Sequence, residues 1–156
     1  MSDEIELQTQ ISLDLQPVAS SVAYDLEAAL ASIVSVRARI PEDAFTAPIL
    51  GTERSGHGAR ILETGLVVTI GYVIAEAEEI WLVGANGQAV TGHVVGYDYE
   101  TGFGLVQPLG HMDLPFIELG DSDLITTGDR VIVAGCGGVN QSLEAEVVAK
   151  CEFAGY

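Results

Sequence analysis

Basic residues are what this sequence has least of: six Lys and Arg stand against 23 Asp and Glu, a formal net charge of -17 over 156 residues. Such a surface repels phosphate backbones and anionic headgroups, and no Lys or Arg cluster offsets it, so neither a nucleic-acid partner nor a membrane partner is expected. Cysteine is nearly as scarce. Cys136 and Cys151 are fewer than the evenly paired set of a small secreted domain, and two reduced, buried thiols are the expected state. Long apolar runs are also missing: the most apolar stretch, Gly65 to Ala75, is about half of what a membrane-spanning helix needs, and Glu76 ends it. The opening MSDEIELQTQ is acidic where a signal peptide is basic, so the chain as written reads as cytoplasmic, or as extracytoplasmic if a leader has been removed. Aromatics are few, four Phe, five Tyr and one Trp, whereas glycines number 18. That is the texture of short strands joined by tight turns.

The apolar share, 48%, is enough for one domain with a real core, and the length is too small for two full-sized ones. Residues 5–15 alternate, with Ile5, Leu7, Ile11, Leu13 and Leu15 on one parity, which predicts a strand with one buried face. Pro17 stops it. Val22, Leu26, Leu30 and Ile33 recur at near-helical spacing, so a short helix is expected over 21–31, capped by Ser20 or Ser21. From there the pattern is β. Val34, Val36, Ala38 and Ile40 alternate with Ser35, Arg37 and Arg39, and further strands are expected at 58–62, 66–71, 80–83, 89–96, 103–107, 131–135 and 143–151. Asn86-Gly87 carries a type I′ hairpin signal, and Gly137-Gly138 marks another break. The fold class is therefore all-β, an antiparallel barrel or sandwich.

The order of motifs narrows this further. Gly56-His57-Gly58, the strand Gly65 to Ile74, the hairpin around Asn86-Gly87-Gln88, the segment Val94 to Val106, Leu119-Gly120-Asp121-Ser122-Asp123 and Gly128 to Gly135 follow one another as in trypsin-fold serine proteases of the HtrA type. The resemblance covers roughly residues 32 to 152. It implies a trypsin-like six-stranded barrel over 32–107, an inter-barrel linker over 108–127, and an incomplete second barrel over 128–156, preceded by an arm strand and short helix over 1–31.

The same resemblance puts Tyr72 where the family has its general-base His and Gly102 where it has the orienting Asp. The family's nucleophilic Ser sits in a turn of the second barrel that this sequence does not reach. No catalytic residue is therefore expected. A phenol titrates near 10, far from what a base at neutral pH requires, and a glycine has no side chain with which to orient one. At about 3.3 Å per residue, Asp98 and Glu100 stand roughly 13 and 7 Å along the chain from position 102, so neither is expected to substitute. Gly120-Asp121-Ser122-Asp123 imitates a nucleophile turn, but its neighbours assign it to the linker.

Tyr72 and Cys136 are the expected cleft-lining binding residues. His57, His93 and His111 lack metal-like spacing and read as surface or hydrogen-bonded structural residues, with no metal and no cofactor expected. Glu76, Glu78 and Glu79 read as a solvated turn. An incomplete barrel exposes strand edges, which calls for a companion fragment, a partner protein chain or a homo-oligomer to cover them. The expected function is a non-catalytic binding or regulatory pseudoprotease. The alternatives are the N-terminal portion of a serine endopeptidase whose Ser lies in a missing C-terminal half, and a binding barrel unrelated to proteolysis.

Overall fold

The alternation in the sequence becomes a closed sheet. In the computed structural model, which describes residues 10–151, six antiparallel strands form a barrel: β1 (Ile33–Arg39), β2 (Glu53–Arg60), β3 (Val67–Ile70), β4 (Glu79–Gly84), β5 (Ala89–Tyr97) and β6 (Phe103–Pro108). Their order is β1-β2-β3-β6-β5-β4, with β4 closing back on β1. Val36, for example, lies opposite Gly56 on one side and Leu82 on the other. The residues predicted to face inward do so: Val34, Val36, Ala38 and Ile40 are buried, while Arg37 and Arg39 point out.

Two segments fill the barrel's interior further. The single helical turn α3 (Gly71–Ile74) sends Val73 and Ile74 into the core, and Met112 and Leu114 enter it from the chain after β6. Arg60 fastens that chain, donating to the carbonyls of Leu114 and Met112, and it also donates to Glu63 O just beyond its own strand. Beyond it, β7 (Arg130–Ala134) and β8 (Ser142–Glu146) form a separate two-stranded antiparallel sheet.

Four local expectations need correction. Residues 10–15 are not a strand: Leu15 N–H donates to Ser12 O, and Leu13 and Leu15 are exposed. Among the described residues no neighbouring strand offers them a ladder. The segment instead touches the second sheet and the turn joining its strands, through Ile11 N–H to Asn140 O (3.0 Å), Gln10 Nε2 to Asn140 Oδ1 (3.1 Å) and Glu144 N–H to Leu15 O (2.9 Å). The rest of the expected arm strand, residues 5–9, lies outside the described residues. The helix α1 is shorter than expected, Leu26–Ala31, because Asp25 rather than a serine caps it, accepting from Ala28 N–H at 3.0 Å. It buries Leu26 and Leu30.

The predicted strand 143–151 stops at Glu146, since the opposing chain bends there into a turn closed by Asp129 accepting from Thr126 N–H. The hairpin between β4 and β5 is also not type I′. Only Gly87 has a positive φ (84°), and Gly87 N–H donates to Gly84 O, the pattern of a type I turn followed by a left-handed glycine. A four-residue helical turn, α2 (Ala47–Leu50), lies between β1 and β2.

Candidate functional site

The site is built where β3 ends. After Ile70 the chain winds into α3, whose Val73 and Ile74 are pulled into the core. The intervening geometry leaves Tyr72 at the surface, 49% exposed. Gly71 N–H donates to Gly102 O at 2.7 Å, so the two positions singled out in the sequence, 72 and 102, are neighbours in space. Gly102 itself has φ +78°, left-handed backbone that favours glycine.

Neither nearby carboxylate is poised to act as a base on this pair. Asp98 accepts from Thr101 Oγ1 (2.6 Å) and Glu100 N–H (3.1 Å), and the Thr101 hydroxyl in particular holds its carboxyl below the usual range. It ties down its own turn. Glu100 is exposed.

Aromatic rings occupy the surroundings. A Cβ on Gly71 would collide with the ring of Tyr97, so that ring lies directly on the start of α3. Tyr99 meets Tyr97 edge to face, with ring centroids 4.4 Å apart. Tyr72, Tyr97, Tyr99 and Phe45 all line one cavity of about 730 Å³.

Two residues hold this region together, Arg54, which the sequence reading does not single out, and Glu76, which it reads only as part of a solvated turn. Arg54, on β2 and buried, donates to Tyr72 O (2.7 Å), Ala75 O (3.1 Å), Gly51 O (3.1 Å) and Thr46 Oγ1 (2.7 Å). Glu76 accepts from Phe45 N–H (3.0 Å), Thr46 N–H (2.7 Å) and Thr46 Oγ1 (2.6 Å). Together they clasp the β1–β2 loop onto α3. Glu76 is also the only non-glycine residue with a positive φ (60°) among the described residues. The expectation of a plain solvated turn at 76–79 is thus incomplete, since Glu78 and Glu79 also both pair with Arg39. No local motif signals the clasp, because all its bonds except that of Arg54 to Gly51 O join residues 8 to 31 apart.

The Thr46 hydroxyl, followed by the backbone donors, keeps the Glu76 carboxyl below the usual range. A depressed folded pKa contributes stability above the unfolded value near 4 and loses it as pH falls through the folded value. Glu76→Gln is therefore expected to be less stable than the wild type at pH 7, with the gap closing below about pH 4. Urea titrations at both pH values check this; a gap independent of pH would contradict it.

Cys136 lies elsewhere and is not among the residues lining the Tyr72 cavity. Its N–H donates to His57 Nδ1 at 3.1 Å, and its thiol approaches Val83 O at 3.6 Å. Burial pushes that thiol up, away from the reactive thiolate. His57 therefore joins β2 to the loop after β7. Cys151 is exposed rather than buried, and the two cysteines are unbonded. Ser122 sits in an exposed 3₁₀ turn where its carbonyl, not its hydroxyl, is used, accepting from Lys150 Nζ. His93 and His111 are exposed. Among the described residues no three His, Cys, Asp or Glu side chains are grouped to hold a metal ion, and no helix is long and apolar enough to cross a membrane.

Comparison with known proteins places this geometry. Residues 56–154 match the trypsin-like peptidase domain family. The chain is similar to probable periplasmic serine endoproteases described as DegP-like. It is 36% identical over 80 residues to that of Rickettsia prowazekii, and 34% over 80 residues to that of Chlamydia trachomatis. In both cases the match covers 51% of this chain and 16% of the relative. Two structures of the HtrA-type protease AlgW with a tripeptide superpose with TM-scores of 0.64 and 0.63 at 21% identity, covering 80% of this chain and 38% of theirs. The chain thus spans about one-sixth of the length of these curated relatives.

Proposed function

Since the chain belongs to the trypsin-like peptidase domain family and is homologous to HtrA/DegP-type serine proteases, we propose that it is a non-catalytic member that binds rather than cleaves polypeptide. The observation that carries this reading is the 2.7 Å hydrogen bond from Gly71 N–H to Gly102 O. It brings together the two positions that the resemblance assigns to the general base and its orienting acid, and they hold a tyrosine and a left-handed glycine. Hydrolysis by this fold needs a proton acceptor near neutral pH beside the nucleophile. A phenol is a poor one, and Asp98 is committed to the Thr101 hydroxyl.

The test uses the complete gene product, incubated with an unfolded protein substrate and with a fluorophosphonate that labels activated serines. No fragments and no serine adduct are expected. A stoichiometric serine adduct accompanied by fragments would overturn the reading in favour of an endopeptidase whose nucleophile lies outside this chain.

The same proposal assigns completion of the second barrel to further polypeptide, because an isolated two-stranded sheet such as β7–β8 is marginal in water. Native mass spectrometry of the same preparation counts the chains present; a lone 16.4 kDa species with β7–β8 intact would exclude it. The relatives are named as periplasmic, which supports an extracytoplasmic setting for this chain, to be checked by fractionating the producing cells.

A further inference from the structure

The cavity beside Tyr72 combines two features, aromatic rings in number and an acidic wall without a basic residue. Four of the chain's ten aromatic rings line it, those of Phe45, Tyr72, Tyr97 and Tyr99. Glu76 is the one charged residue in its wall, and no Lys or Arg lines it. The rings are presented rather than packed away: Tyr72 is 49% exposed, Tyr99 89% and Phe45 88%. Exposed aromatics in this number need an explanation in a chain with so few of them.

The electrostatics point one way. Aromatic faces attract cations, most strongly where water is partly excluded. Glu76 stays ionised because Phe45 and Thr46 donate to it, and its left-handed backbone is the kind of local strain found where a fold holds a functional constellation. The chain as a whole carries a formal net charge of -17. A field of that sign raises the local concentration of cations and repels anions.

We propose that this cavity is a binding site for an extended basic polypeptide segment, with a Lys or Arg side chain seated among the Tyr rings and apolar neighbours filling the remainder. The volume, about 730 Å³, is in the range of sites that enclose a whole ligand and is more than one ammonium group would fill. The barrel is closed, so no strand edge is offered for sheet addition there and side-chain recognition must supply the specificity. This deepens the binding reading given above but does not depend on the loss of catalysis.

The experiment is fluorescence anisotropy with a labelled eight-residue peptide alternating Lys and Leu, against its Glu–Leu counterpart, at about 150 mM salt to screen distant charge. Binding of the Lys peptide is expected, at least tenfold tighter than that of the Glu peptide. Tyr72→Ala with Tyr99→Ala together should weaken it at least tenfold, whereas Tyr72→Phe with Tyr99→Phe, which keeps both ring faces, should stay within about twofold. Asp121→Asn, which removes one remote exposed charge, should also stay within about twofold.

Equal affinity of the double alanine variant, or equal affinity for both peptides, overturns the proposal, as does no binding of the Lys peptide. Circular dichroism shows whether the alanine variant is folded; if it is not, Tyr99→Ala alone, at the most exposed ring, decides by the same comparison. Mass spectrometry of the recovered peptide reports cleavage separately. Cleaved but tightly bound peptide overturns the non-catalytic reading and leaves this one standing.

Discussion

Replacing Arg54 with alanine is expected to lower the unfolding free energy by about 3 kcal/mol, the upper end for losing the hydrogen bonds of a charged group. For a chain of this size that corresponds to a fall in Tm of roughly 10 °C. The magnitude follows from what the guanidinium does. Its nitrogens donate to three backbone carbonyls, Gly51, Tyr72 and Ala75, and to the Thr46 hydroxyl. In the variant these partly buried acceptors lose their donor, which is the costly half of a hydrogen-bond deletion. Glu76 would also lose the nearby positive charge that helps keep it ionised. Arg54→Lys should recover only part of the loss, because an ammonium on a flexible stem cannot span four acceptors held in a fork-like arrangement. Denaturant unfolding of the three proteins checks this; equal stability of Arg54→Ala and wild type would show that the clasp is dispensable.

Leu82→Ala is expected to cost about 2–5 kcal/mol, the range for removing a fully buried leucine. Leu82 has no exposed surface and sits in the middle of β4, opposite Val36 on β1 and Val90 on β5. Because the sheet is closed, its neighbours cannot slide in to fill the space without shifting a ladder on each side, which places the cost in the upper part of that range. A control at Leu119, 73% exposed in the connecting chain, should change stability by less than about 0.5 kcal/mol. A similar loss at both positions would mean that burial at Leu82 has been misjudged.

Much of the fold was legible because one physical signal was strong and repeated. Val34, Val36, Ala38 and Ile40 alternate with polar residues in the sequence and face inward in the barrel, since pleated strands send successive side chains to opposite faces. The same signal misled at residues 10–15. Parity states which side of a strand would be buried, but it cannot supply the neighbouring strand that makes the strand form. The cap of α1 was misassigned for a related reason. Several residues near the helix start had suitable oxygens, and only Asp25 has its own placed to accept from Ala28 N–H.

The site was legible in part. Tyr72 and Gly102 stood out because motifs at fixed spacing located them, and they do lie side by side. The clasp of Arg54 and Glu76 did not stand out. Glu76 read as one member of a charge run, and Arg54 preceded the Gly-x-Gly strand without any spacing that implied Tyr72 O or Thr46 as partners. Interactions across a fold leave no periodic trace in the chain. Tyr97 was missed in the same way, since only the three-dimensional path of β5 brings its ring onto Gly71.

Closure of the barrel sets how the molecule comes apart. Each of its six strands is held by a ladder on both sides, so none can leave without breaking two sets of hydrogen bonds at once. Opening there is all or none. The β7–β8 sheet is held by a single ladder, with Ile11 and Leu15 adding isolated bonds, and it can open while the barrel remains shut. The chain therefore has two levels of cooperativity. The hydrogen bond between Cys136 N–H and His57 Nδ1 is one of the points at which they meet, where opening of the looser sheet is first felt by a strand of the rigid one.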